Sequence, residues 1–121
     1  MKRKIITIEN GVVSIPKFAE IWMSEYEIAK MFECFVAKVS CNVRSILKTS
    51  VLDERTVCRT YCYGNGGSVE QYNLEMITAL SFRVKTYNAE VFRNWLMRKA
   101  VESVPNMQIL LCRNWDKIQL N

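Results

Sequence analysis

The chain has 121 residues, half of them hydrophobic, with 17 Lys and Arg against 12 Asp and Glu and no histidine. That size and apolar content support one domain with a real core and exclude a disordered chain. The net charge of +5 permits a polyanionic partner without demanding one, and the missing histidine removes the commonest general base and the commonest zinc ligand.

No apolar run approaches the roughly 20 residues that a membrane span requires, so no membrane partner is expected. Met1-Lys2-Arg3-Lys4 is basic, as the start of a signal peptide is, but no long apolar segment follows it. A cytoplasmic location is therefore expected. Cys34, Cys41, Cys58, Cys62 and Cys112 are odd in number and lack the short knuckle spacing of a zinc site, which points to reduced thiols packed as small apolar residues. Gly64-Asn65-Gly66-Gly67 lacks the Lys-Ser/Thr and the helix start of a phosphate loop. Neither a metal nor a cofactor is expected. Asp53, Glu54, Glu70 and Glu75 form no spaced pair with a matching base, so the pattern is not that of an enzyme.

In chain order, Ile5-Ile6-Thr7-Ile8 and Val12-Val13-Ser14-Ile15 are β-forming runs around Asn10-Gly11, a strong hairpin turn, and Pro16 ends the second run. A lone hairpin is marginal in water, so it must pack on something. Lys2, Arg3 and Lys4 read as a solvated terminus. A connector follows, anchored by Phe18, Ile21 and Trp22, with room for one helical turn. Trp22 is expected beneath the helix that comes next.

Ser24 and Glu27 form a capping box, and Ile28, Ala29 and Phe32 then share one face at helical spacing. The break falls near Glu33 to Phe35. A second helix is expected over 36–49, with Val36, Val39, Val43, Ile46 and Leu47 on the apolar arc and Lys38, Cys41, Arg44, Ser45 and Lys48 opposite. The polar side of this helix carries only positive charge, whereas the first helix has three acids and one base. Ala29, Glu33 and Val39 stand where a helix-turn-helix needs a small residue, a turn residue and a branched core residue. Glu33 is the misfit, because Gly reaches the left-handed backbone cheaply and Glu does not. Two amphipathic helices of an ordinary core fit the same pattern.

The β-forming run 57–63, the Gly-rich turn and the run 68–72 make a second hairpin, placed as the wing of a winged helix would be. Asn73 caps a third helix over 74–84, with Leu74, Ile77 and Leu80 inward and Met76, Ala79 and Phe82 widening the apolar side. Asn88 or Thr86 caps a fourth over 89–104, where Phe92, Trp95, Leu96 and the stem of Lys99 share a face and Arg93 and Arg98 read as solvated. After Pro105, residues 107–112 read as a strand, with Trp115 and Ile118 docking the tail or burying it in a homodimer. The expected fold is thus α+β, a winged helix-turn-helix core with an N-terminal β-hairpin and two further helices in one domain.

Five blocks of the chain resemble the virulence RhuM family of bacterial mobile-element proteins. They are Ile28-Ala29-Lys30-Met31-Phe32, Leu52-Asp53-Glu54 with Val57-Cys58, Tyr72-Asn73-Leu74-Glu75, Phe82-Arg83-Val84, and Phe92-Arg93-Asn94-Trp95. The third and fourth helices are also similar to Bro-N-like phage antirepressor-type domains. The resemblance implies a DNA-binding module on a mobile or prophage element.

The function expected from these features is duplex-DNA binding with the second helix in the major groove. Lys38 and Arg44 would reach base edges or phosphates, and Ser40, Asn42 and Ser45 would offer hydrogen bonds. Lys48, Arg55 and Arg59 would hold backbone phosphates, joined by Asn65 and the amides of the glycine turn. The rival is a protein-interaction module, antirepressor- or antitoxin-like, that turns the same helix face to a protein partner. Cys41 at the middle of that face and Glu33 in the turn favour the rival.

Overall fold

The computed structural model describes residues 5–17 and 21–103. The basic Lys2, Arg3 and Lys4, the anchor Phe18, the strand at 107–112 with Cys112, and the dimer-forming tail with Trp115 and Ile118 lie outside the described residues.

Among the described residues the architecture is α+β, with five helices and two small antiparallel sheets. Strands β1 (Thr7–Glu9) and β2 (Val12–Ser14) pair with Ile8 opposite Val13. Asn10 and Gly11 between them both have positive φ, 51° and 76°, the combination that matches a two-residue hairpin to strand twist. This hairpin lies on α1 (Glu25–Phe32) and α5 (Tyr87–Ser103), where Ile6 is fully buried.

The second sheet holds β3 (Met23–Ser24), β5 (Ser68–Tyr72) and β4 (Cys58–Cys62), in that spatial order. The connector ends in β3, which pairs Met23 with Tyr72 and Ser24 with Gln71, and the helical turn allowed within it falls partly outside the described residues. Ser24 can serve both strand and helix because an N-cap residue has extended backbone, here φ −75° and ψ 166°. Its Oγ accepts from Glu27 N at 3.2 Å, and its own N–H donates to Glu27 Oε1 at 2.9 Å, so the expected capping box is complete.

Helix α1 packs on α2 (Val36–Lys48), α2 on α4 (Leu74–Ser81), and α4 on α5. Val39, Val43 and Ile46 of α2 are buried as expected and Leu47 half-buried, but Val36 is 39% exposed and stands outside the apolar arc. A short helix, α3 (Glu54–Val57), precedes β4, where the run from Val57 reads as strand. Asp53 makes the difference. Its carboxylate accepts from Arg55 N at 3.0 Å and starts a turn of helix that delivers Val57 to the core.

Helix α4 is capped by Asn73 as expected, its Oδ1 accepting from Met76 N at 3.2 Å, but it ends at Ser81, before the expected 84. Val84 is still buried, whereas Phe82 is exposed and does not widen the apolar side. At the start of α5 the cap is Thr86, whose Oγ1 accepts from Ala89 N at 3.2 Å. Asn88 has another task, donating from Nδ2 to the Met31 carbonyl at 2.9 Å. Arg93 is not a solvated cation either: it donates to the carbonyls of Ser81 and Val84. At the centre of the core, Phe32 and Phe92 meet edge to face with ring centroids 5.7 Å apart.

Both α1 and α2 end in the same turn without glycine. Glu33 N–H donates to the Lys30 carbonyl and Cys34 N–H to that of Ala29, while Ser50 N–H donates to Leu47 and Val51 N–H to Ile46. Each pair is a Schellman motif, with Glu33 (φ 57°) and Ser50 (φ 59°) in the left-handed position. A side chain there costs about 1–2 kcal/mol, partly offset by the smaller chain entropy it loses relative to Gly. Glu33→Gly is therefore expected to raise stability by about 0.5–1 kcal/mol in urea unfolding, with Glu33→Ala giving no such gain. Equal midpoints for the Gly and Ala variants would show that the left-handed turn carries no strain.

Candidate functional site

Thirteen residues of α2 contain no acid. The burial of Val39, Val43 and Ile46 fixes the outward line of the helix as Ala37, Cys41, Arg44 and Lys48, with Lys38 and Ser45 on one flank and Val36 and Ser40 on the other. Lys38, Arg44 and Lys48 are exposed, and among the described residues none of them is paired with a carboxylate. Cys41 is exposed at the middle of the line. These three cations are free to meet an external anion, and their ammonium and guanidinium groups point away from the core that holds the helix.

The hydroxyl and amide groups expected to share that work are largely occupied inside the fold. Ser40 Oγ donates to Glu25 Oε1, and Tyr72 Oη donates to Glu25 Oε2 at 3.2 Å. The Glu25 carboxylate thus joins the first turn of α1 to α2 on one side and to β5 on the other. Asn42 Nδ2 donates to the Lys38 carbonyl at 2.9 Å along its own helix. Ser45 Oγ accepts from Arg83 Nη1 at 3.2 Å, which brings a fourth exposed cation to the flank of α2. Sequence spacing held no sign of Arg83 or Glu25 in these places, since the contacts join residues far apart in the chain.

The wing candidates divide. Arg59 is exposed, but its guanidinium carbon lies 4.5 Å from the centre of the Trp22 ring and its Nε donates to Gln71 Oε1 at 2.9 Å. Trp22 therefore meets the sheet through Arg59. Arg55 is exposed and pairs with Asp53 at 3.4 Å, an exposed pair of small energetic weight. In the glycine turn, Gly66 N–H donates to the Tyr63 carbonyl and Gly67 N–H to Asn65 Oδ1 at 3.0 Å, so two of the amides expected to meet phosphate close the turn instead. Tyr61, on the strand that carries Arg59, and Tyr63, just past its end, are both exposed and stand edge to face at 5.5 Å.

Acids gather on the opposite face of the sheet. Glu70 accepts from Cys58 Sγ at 2.9 Å and from Thr60 Oγ1 at 2.7 Å, and the Cys58 bond leads in holding its carboxyl below the usual range. Burial, the bond to Glu70 and the charges of Glu70, Glu54 and Glu25 push the Cys58 thiol up to about 12. Burial first, then the Glu25 charge, also raises the Tyr72 phenol. Cys58 is thus a protonated hydrogen-bond donor at neutral pH and a poor nucleophile. Among the described residues no group of acids and cysteines could hold a metal ion, and no helix is long and apolar enough to cross a membrane.

Comparison of the chain with protein-family models, curated proteins and solved structures gives no match.

Cys58 and Tyr72 hold protons in the folded chain that the unfolded chain releases near its ordinary values of 9.0 and 10.0. Their contribution to stability is whole below about pH 9 and is lost as pH rises toward the folded values. The urea midpoint is expected to fall between about pH 9 and pH 11, with a shallower fall in a Cys58→Ala/Tyr72→Phe variant. Identical slopes for the two proteins would remove this pair as the source of alkaline sensitivity.

Proposed function

We propose that the segment from β3 to β5 is a winged helix-turn-helix and that the chain binds duplex DNA, with α2 in the major groove. The observation that carries this reading is the solvent side of α2, where Arg44 and Lys48 on the outward line and Lys38 on its flank are exposed on a helix without an acid. Phosphates flank the major groove on both sides, so a helix of one sign of charge is what the groove accepts. In this reading Arg44 and Lys38 reach base edges or phosphates, and Lys48 and Arg83 hold the backbone. Ser40 and Ser45 tie the helix to Glu25 and Arg83, Asn42 bonds within α2, and Arg55, Arg59 and Asn65 play a lesser part at the wing.

The blocks that resemble virulence RhuM proteins support a common fold more than a common contact surface. Ile28, Ala29, Met31, Phe32, Tyr72, Val84 and Phe92 are all buried. An origin on a mobile or prophage element rests on that resemblance alone. A protein partner on the same helix face is the second reading, favoured by the exposed Cys41 and Val36.

Fluorescence anisotropy with mixed-sequence duplex DNA at two salt concentrations separates the two. Affinity is expected to fall steeply with salt, and Arg44→Ala to weaken binding by about 1–3 kcal/mol, with a smaller loss for Lys38→Ala. No binding at low salt would move the function to a protein partner, and unchanged binding by the Arg44 variant would take α2 off the DNA.

A further inference from the structure

Phe35 is the oddest residue on this surface. It stands at the N-cap of α2, where Ser, Thr, Asp or Asn would accept a hydrogen bond from the first turn, and it makes no side-chain cap. Its backbone carbonyl alone starts the helix, accepting from Lys38 N at 3.0 Å and Val39 N at 3.4 Å. Nor does its ring contribute to the core, since it is 86% exposed. The position therefore gives up both the cap and the burial that would stabilise the fold. The next two residues, Val36 and Ala37, are exposed as well, and Cys41 follows one turn on. The outer surface of α2 thus starts with Phe35, Val36 and Ala37, with the exposed Lys38 on one flank, and becomes basic over its last turns, where Arg44 and Lys48 stand.

A basic helix end beside an apolar one is complementary to one feature of duplex DNA. In the major groove the only apolar group on a base edge is the C5-methyl of thymine, and it lies between rows of phosphate. An N-terminal end of a groove-bound helix is also the part that comes nearest the bases. We infer that Phe35, with Val36 and Ala37, contacts thymine methyl groups and makes this chain selective for thymine at the base steps under the start of α2. The inference rests on the reading of α2 as the groove helix and adds to it the chemical group that is read. Against a protein surface, the unpaired Arg44 and Lys48 on the same line would need acidic partners as well as an apolar pocket.

Replacing thymine by uracil removes only the methyl and leaves pairing and charge unchanged. The probe is a random-sequence duplex pool made with either dTTP or dUTP, enriched for binding in its thymine form and then compared in both forms. Burying one methyl corresponds to about 0.8 kcal/mol, or about fourfold in affinity. The full chain is expected to bind the thymine duplex at least about fourfold more tightly than its uracil counterpart. Phe35→Ala is expected to lose most of the preference, leaving only what Val36 and Ala37 contribute. Phe35→Leu is expected to keep part of the preference, and Phe82→Ala, a change at another exposed phenylalanine away from α2, all of it. The salt dependence should be the same for all of these proteins, because no phosphate contact is altered.

Equal binding of the wild type to both duplexes, with steep salt dependence retained, would overturn the methyl contact and leave α2 on DNA. A thymine preference undiminished in Phe35→Ala would also overturn it, by placing the contact elsewhere. Loss of salt-dependent binding to either duplex would overturn the groove reading itself and leave Phe35 to a protein partner.

Discussion

Short helices cannot satisfy their own ends, and the fold depends on how those ends are met. Helix α1 has eight residues and α4 has eight, lengths at which a free helix does not persist in water. Their last carbonyls have no partner within the helix. Side chains of α5 and of its cap Thr86 supply partners: Asn88 to Met31, Thr86 to Phe32 at 2.6 Å, and Arg93 to Ser81, with Val84 just beyond α4. A buried carbonyl without a donor costs on the order of 1–3 kcal/mol, so these contacts are a large share of what a small domain can spare. Helix α5 therefore fixes the ends of α1 and α4, and Phe92 fills the space between through its contact with Phe32.

The surface of α2 follows from this. With α1 and α4 held, the burial of Val39, Val43 and Ile46 leaves a single rotation of α2 available, and its cations must face out. Glu25 holds the same helix from the other side, taking hydrogen bonds from Ser40 and Tyr72. Charge is sorted by that arrangement. Glu25, Glu54 and Glu70 act together on Cys58 at one face of the three-stranded sheet, while Lys38, Arg44, Lys48 and Arg83 lie along α2 and its flank. A polyanion would meet the second surface and avoid the first, since potentials of opposite sign steer it.

Local chemistry was legible where one residue type has one strong use. Asn10-Gly11 marked the first turn, Ser24 with Glu27 the start of α1, and Asn73 the start of α4, because in each case a side chain or a missing Cβ acts on backbone within three residues. Glu33 was visible as a misfit and stands in the left-handed turn for which Gly is best suited. Boundaries were less visible. The run from Val57 has β propensity, yet Asp53 makes its first residue helical, and α4 stops before Val84 although the apolar spacing runs on. A tertiary contact can bury a residue as well from a loop as from a helix, so periodicity does not mark the end.

The amino-acid sequence by itself determined the α+β character, the two hairpins, the starts of α1, α2 and α4 and the positive arc of α2, all of which rest on interactions within a few residues or on the period of apolar positions. Only the tertiary structure decided which polar groups remain available on the surface. Ser40, Ser45, Asn65 and Arg59 carry the right chemistry to meet an anion, but each has a hydrogen-bonded partner within the fold. Phe35 shows the reverse, an aromatic residue that would ordinarily be assigned to a core and that stands in solvent. The physical reason is the same in both cases. A side chain's availability depends on which distant groups the packing brings within hydrogen-bonding or van der Waals reach, and a pattern read along the chain contains its neighbours in sequence, not its neighbours in space.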